Sequence, residues 1–285
     1  LNSVNGAVGA AVREHYDVIG WDPRGVGRSS AVSCFDDAGL DEVYYGLDDS
    51  FGLEVGSDAW LDALGQDAAE YGAACREGTG ALLEFVDTAS TVRDLEMLRA
   101  IVGDPQLNYL GYSYGTYIGA RYADAYPERV GRLVLDGAMD PASSEVEVVR
   151  EQTRGFEASL RSYVTECLGR NDCPVSGTVE AAMAQWGEIL DTVDAEPLRG
   201  SDGRWVTSAT LLTAIITPLY ARASWSWLDE LYRATASGDG DTALFLADFY
   251  NDREDGVYRT NLQEAFTAIN CLDYPSSDLA NRDQR

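Results

Sequence analysis

Apolar and polar positions alternate along this chain with two different periods. From Ser57, a residue suited to cap a helix, Leu61, Leu64, Ala68, Tyr71 and Cys75 recur at helical intervals. Val92, Leu95, Leu98 and Val102 do the same from about Thr91, until Gly103 and Pro105 supply a stop. A short helix is expected over residues 7–14. Tyr16–Trp21 is a compact run rich in β-branched and aromatic residues and predicts a buried strand. It ends in a loop, Asp22-Pro23-Arg24-Gly25-Val26-Gly27-Arg28-Ser29, and polar, acidic, glycine-containing sequence continues to about residue 56. Leu107–Gly111 then predicts a strand, 112–114 a turn, 115–126 a helix ended by Pro127, and 129–135 a second strand. Strand, helix and strand in such close succession make a βαβ unit with parallel strands.

From about Ser143 the pattern becomes helical throughout, over roughly 145–169, 178–193, 207–219, 224–237 and 241–250, with no strand between them. The expected organisation is therefore α/β, a parallel sheet with flanking helices plus an α-helical cap. Residues 1–142 form the N-terminal part of the core and 143–285 the cap. The cap holds Trp186, Trp205, Trp225, Trp227, Tyr220 and Tyr232, read as packing residues rather than a ligand-stacking surface.

Composition narrows the function classes. The formal charge is −27, from 48 acidic and 21 basic residues, every basic residue being Arg. Such a surface repels nucleic acid and favours solubility, and it would attract cationic substrates. No run approaches the roughly 18 consecutive apolar residues of a membrane helix. The only histidine is His15, and the five cysteines form no CxxC pair, so metal-ligand spacing is missing and no metal or other cofactor is expected. Cys167 and Cys173 enclose a short polar segment that can turn back on itself, which suits a local disulfide in an oxidising compartment; Cys34 with Cys75 is the next pairing. Cys271 is left over and implies a partner elsewhere. Five reduced thiols in a cytosolic protein are the alternative.

The chemistry-bearing motif is Gly111-Tyr112-Ser113-Tyr114-Gly115, a G-x-S-x-G pattern between a strand and a helix. That context puts a serine on a tight turn with its hydroxyl exposed, the two glycines removing Cβ atoms that would collide there. Ser113 is thus the candidate nucleophile. The backbone N–H of Tyr114, at the positive end of the following helix, is the candidate donor to a developing oxyanion. The serine needs a base. His15 begins its strand while Ser113 follows the end of its own, which puts them at opposite edges of a parallel sheet, roughly 15–20 Å apart at about 3.3 Å per residue. In folds that carry this strand–G-x-S-x-G–helix motif the acid and histidine follow the serine in chain order, so the base is expected beyond Arg285. Gly25-Val26-Gly27 lacks the third glycine of a dinucleotide fingerprint and is discarded as one.

On these residues the chain resembles the secreted bacterial tripeptidyl aminopeptidases, relatives of proline iminopeptidase among the α/β-hydrolase serine peptidases. The resemblance rests on Tyr16 through Ser29, on Asn108 through Thr116, on Val134-Leu135-Asp136-Gly137 with Asp140-Pro141, and on Ala268-Ile269-Asn270-Cys271-Leu272-Asp273. It implies a partial α/β-hydrolase fold, and release of short peptides, typically tripeptides, from free N-termini through an acyl-enzyme, with disulfides and a secreted or cell-envelope location. Members also carry a Gly-Gly-Pro-Gly-type oxyanion loop and a later Asp and His that this chain does not show. The remainder of the same polypeptide is therefore an expected partner, and the 285 residues alone are expected to be nearly inactive. A free N-terminus calls for a carboxylate to hold its ammonium. Asp273 is the candidate, by its place in the matched motif, while Asp136 is expected to fix loop structure. The competing functions are a carboxylesterase of the same fold and a catalytically incomplete binding or structural fragment.

Overall fold

The computed structural model describes residues 8–274; the ends of the expected division, 1–7 and 275–285, lie outside the described residues. A short helix α1 spans Ala10–Arg13. The segment 16–21 that follows pairs with no strand among the described residues, and most of it is exposed. The expected buried strand is thus corrected. A strand is stable only with a neighbour, and here only Trp21 is used, packed against a cluster formed by later elements. A further helix, α2 (Asp37–Tyr45), forms where polar loop was expected, because the Asp36 side chain caps it, accepting the Gly39 N–H at 2.8 Å.

The next helix, α3 (Asp58–Thr79), is capped by Ser57 as the sequence predicts. Its successor α4 (Thr88–Val102) starts three residues earlier than its apolar spacing shows, because Asp87 caps it through the Ser90 N–H at 2.8 Å. Next come β1 (Leu107–Tyr112), α5 (Tyr114–Ala125) and β2 (Val130–Asp136). The two strands pair in parallel, Leu110 beside Val134 and Tyr112 beside Asp136. Helices α4 and α5 cover one face of this ribbon, where Val92, Leu95, Ile118 and Tyr122 pack with Leu107 of β1. The opposite face carries Leu110, Tyr112 and Val134, exposed by 41%, 49% and 57%.

The helical region comprises α6 (Glu145–Cys167), α7 (Val179–Ala195), α8 (Ser208–Leu219), α9 (Ser226–Ala236) and α10 (Asp241–Tyr250). Ser144 and Glu147 close a capping box on α6. Two ribbons, β3 (Leu198–Arg199) with β4 (Trp205–Val206) and β5 (Arg253–Glu254) with β6 (Val257–Tyr258), interrupt a region expected to hold no strand. Each is only two residues long on either side of a tight turn, too short for an alternating pattern to register. Trp186 is core, 1% exposed and edge-on to Tyr163 and Tyr232; Tyr220, by contrast, is 67% exposed.

Packing cuts across chain order at two helices. Tyr44 and Tyr45 of α2 join the core of the helical region. The last helix, α11 (Leu262–Asp273), packs Ala265 and Ile269 on Val32 and Val86 of the N-terminal part. Ionic contacts reinforce the first crossing. Asp248 accepts from both Arg204 nitrogens (2.6 and 2.8 Å) and from the Tyr45 hydroxyl (2.7 Å), and Asp41 takes a two-point contact from Arg253 (2.7 and 2.8 Å). The second crossing is made by side chains that complete a loop. Asn261 donates to the carbonyls of Gly25 and Val32 at 2.8 Å each and accepts the Gly27 N–H at 3.0 Å, while Glu264 accepts the N–H groups of Cys34 and Phe35. Cys34 is bonded to Cys75 and Cys167 to Cys173, the pairings expected from sequence, and Cys271 is free and exposed.

Candidate active site

Ser113 sits between β1 and α5 and is exposed, with φ 49° and ψ −119°. A non-glycine residue holds such a conformation only where its surroundings impose it. They do so through three hydrogen bonds shared with two residues. The Ser113 N–H donates to the Asp136 carbonyl at 3.0 Å, tying the turn to the end of β2. The Ser113 carbonyl accepts from both the N–H and the hydroxyl of fully buried Thr116, at 2.8 and 2.6 Å. Thr116 Oγ1 in turn accepts the Met139 N–H at 2.9 Å. Asp136 therefore acts on the turn through its main chain.

The two motif glycines do different work. A Cβ on Gly111 would lie 2.4 Å from the Gly115 carbonyl oxygen, whereas one on Gly115 would meet only the Tyr109 hydroxyl, at 3.4 Å. The expectation that both glycines relieve a collision holds for the first alone. Gly119, one turn on, lets α5 approach the sheet, since a Cβ there would lie 2.6 Å from Leu135 Cδ2. Tyr109 stiffens the same corner by donating its hydroxyl to the Gly115 carbonyl at 2.8 Å, and burial pushes its own pKa up to about 12.

Tyr114 is the first helical residue of α5, a position whose N–H has no acceptor in the preceding turn. Its ring packs against both N-terminal clusters, and its hydroxyl lies 2.5 Å from Thr88 Oγ1. Asp273 meets the same threonine, accepting the Thr88 N–H at 2.9 Å on one oxygen and the Thr88 hydroxyl on the other. Burial raises the Asp273 pKa, the two Thr88 hydrogen bonds oppose the rise, and Asp87 nearby adds to it. The structure thus brings Tyr114 and Asp273 together through Thr88, a residue that sequence reasoning missed. Thr116, Asn261 and Glu264 were missed as well, and of these only Thr116 lies within a run singled out beforehand. His15 follows α1 and is exposed, and the described segment 16–21 after it forms no strand, so its expected place at the start of a sheet strand is not met.

The loop at Asp22–Ser29 is anchored close by. Arg24 makes a two-point contact with Asp94 of α4 (2.7 and 2.6 Å) and donates to the Phe85 carbonyl at 2.9 Å. Gly25 has φ 82°, and a Cβ there would lie 2.9 Å from Val86 Cγ1. Both observations make this loop a structural element.

A serine held at positive φ between a parallel strand and a helix, beside the first N–H of that helix, has the geometry that a nucleophile elbow requires. Residues 4–252 match the family described as the alpha/beta hydrolase fold. The chain belongs to that family. It is 32% identical over 273 residues to serine protease Hip1 of Mycobacterium tuberculosis, a match covering 93% of this chain and 52% of that protein. Tripeptidyl aminopeptidase of Streptomyces lividans is 29% identical over 272 residues, covering 94% of this chain and 49% of the relative. Carboxylesterase B of Mycobacterium tuberculosis is 34% identical over 271 residues, covering 93% and 51%. The chain spans about half the length of the curated relatives it matches. No helix of the described residues is long and apolar enough to cross a membrane.

Proposed function

We propose that this chain carries the nucleophile of a serine hydrolase, a peptidase that releases short peptides, tripeptides among them, from free N-termini. The observation that carries the reading is the exposed Ser113 at positive φ, pinned by Asp136 and Thr116. Its hydroxyl oxygen attacks the scissile carbonyl carbon and its proton passes to an imidazole. The oxyanion so formed takes a hydrogen bond from the Tyr114 N–H, and collapse expels the amine, to which the imidazole returns the proton. Water then cleaves the acyl-enzyme by the same steps in reverse roles.

The imidazole and its carboxylate partner come, in this proposal, from the remainder of the same polypeptide. Two observations support that. The relatives are about twice as long as the matched region. Parallel sheets are normally covered on both faces, whereas Leu110 and Val134 on this ribbon stand exposed among the described residues. Residues 1–285 alone are then expected to turn over very slowly. Asp273 is proposed as the carboxylate that holds the substrate ammonium: each of its oxygens accepts one hydrogen bond from Thr88 and keeps a lone pair for a cation. The two disulfides support a secreted or cell-envelope location. Peptides with a free N-terminus are the proposed partners, with no nucleic acid and no cofactor.

The name of one relative favours a second reading, a carboxylesterase. Fluorogenic tripeptide amides with free and with blocked N-termini, offered to the complete polypeptide beside short-chain acyl esters, separate the two. Free N-termini preferred by a large factor are the expected result; equal cleavage of blocked substrates removes the aminopeptidase reading. A non-catalytic role predicts that a fluorophosphonate leaves Ser113 unlabelled.

A further inference from the structure

Three helix ends converge beside the elbow: the first residue of α4 (Thr88), the first of α5 (Tyr114) and the last of α11 (Asp273). A carboxylate at a helix C-terminus opposes the helix dipole, and α11 has no basic residue in its last turn to offset it. The same carboxylate is well placed with respect to α4, whose first N–H it accepts. A local rule is thus broken on α11 and satisfied across a tertiary contact 185 residues away in sequence.

Counting protons fixes the direction of the chain of hydrogen bonds. Thr88 has one hydroxyl proton and gives it to Asp273. The contact between Thr88 Oγ1 and the Tyr114 hydroxyl must then be donated by Tyr114. Thr88 is only 2% exposed, so water does not substitute readily for either partner. Tyr114 is the residue whose N–H is the proposed oxyanion donor, and its side chain leaves the backbone at the point where the Ser113 turn becomes helix.

On the proposed nucleophilic role of Ser113, we infer that Thr88 is a positioning residue: through the Tyr114 hydroxyl it holds the N-terminus of α5, and so the oxyanion donor, against Asp273. It touches no substrate. Its effect is on the direction of one N–H, where misplacement by about 1 Å costs roughly 100-fold in rate.

The test uses the complete polypeptide and the rate of Ser113 labelling by a small fluorophosphonate, which has no ammonium and needs no Asp273 for binding. Thr88→Val keeps shape and loses the hydroxyl; Tyr114→Phe keeps the ring and loses the donor. Both are expected to label about 10- to 100-fold more slowly than wild type, with Thr88→Ser restoring the rate to within about threefold. Thermal unfolding is followed in parallel, because a merely structural threonine would lower the midpoint while the folded fraction labelled at the wild-type rate. Wild-type labelling rates in a folded Tyr114→Phe variant would overturn the inference while leaving the nucleophile intact. Failure of the wild-type protein to label at Ser113 would remove both.

Discussion

Replacing Gly111 by alanine is expected to open the elbow. The new Cβ would sit 2.4 Å from the Gly115 carbonyl oxygen and 2.6 Å from its carbon, where ordinary contacts begin at 3.4 Å. The turn must therefore part by about 1 Å, and the obstruction is main chain, which cannot swing aside as a side chain does. Overpacking of this kind costs about 1–3 kcal/mol, which lowers the unfolding midpoint by several degrees in a domain of this size. The effect on chemistry is larger, since a displacement of about 1 Å at the proposed nucleophile, Ser113, corresponds to roughly 100-fold in rate. Gly115→Ala is the internal control: its Cβ meets only the Tyr109 hydroxyl at 3.4 Å, so labelling within about threefold of wild type is expected. Fluorophosphonate labelling followed by intact mass, with thermal unfolding of the same samples, reads both quantities. Equal labelling of Gly111→Ala and wild type would show that this close approach does not hold the turn.

Asp248→Ala strips Arg204, Arg253 and the Tyr45 hydroxyl of a shared acceptor, each of the four residues being largely buried, and should lower stability by about 3–5 kcal/mol in urea unfolding. Glu96 is held down to about 2 by the Arg99 guanidinium, with help from the Tyr122 hydroxyl, against an ordinary value of 4.5. Its contribution is therefore complete above about pH 4.5 and is lost as pH falls towards 2, so Glu96→Gln should flatten the stability profile in that window, as followed by circular dichroism. Removing the Cys34–Cys75 disulfide, which spans 41 residues of sequence, should cost about 4 kcal/mol in the chain-entropy account, against about 2 kcal/mol for Cys167–Cys173, which spans 6. Paired Cys→Ser variants in equilibrium unfolding check both.

How far the sequence foretold this molecule depended on the range of the forces involved. The βαβ unit, the serine turn and the five helices between residues 145 and 250 rest on short-range periodicity and capping, and the structure places them within a few residues of expectation, whereas α11 (Leu262–Asp273) was not foreseen. Tyr16–Trp21 has strand composition but finds no pairing partner among the described residues, and strand formation is decided by the neighbour. Helix α2 was hidden in acidic sequence because its stability comes from the Asp36 cap and from Tyr45 packing on distant helices. In the candidate site, Ser113 and Tyr114 were legible from a five-residue pattern in context. Thr88 was not: its meaning comes from contacts to residues 114 and 273, which no local signal announces.

The hydrogen bonds of Asn261 and Glu264 have a consequence for biogenesis. During synthesis the carbonyls of Gly25 and Val32 and the N–H groups of Cys34 and Phe35 emerge some 230 residues before the side chains that satisfy them. At about 5–20 residues per second that is a delay of roughly ten to fifty seconds. The amino-terminal loop must spend it solvated or in the care of a chaperone, so the ribosome releases this segment unfinished and the arrival of α11 closes it.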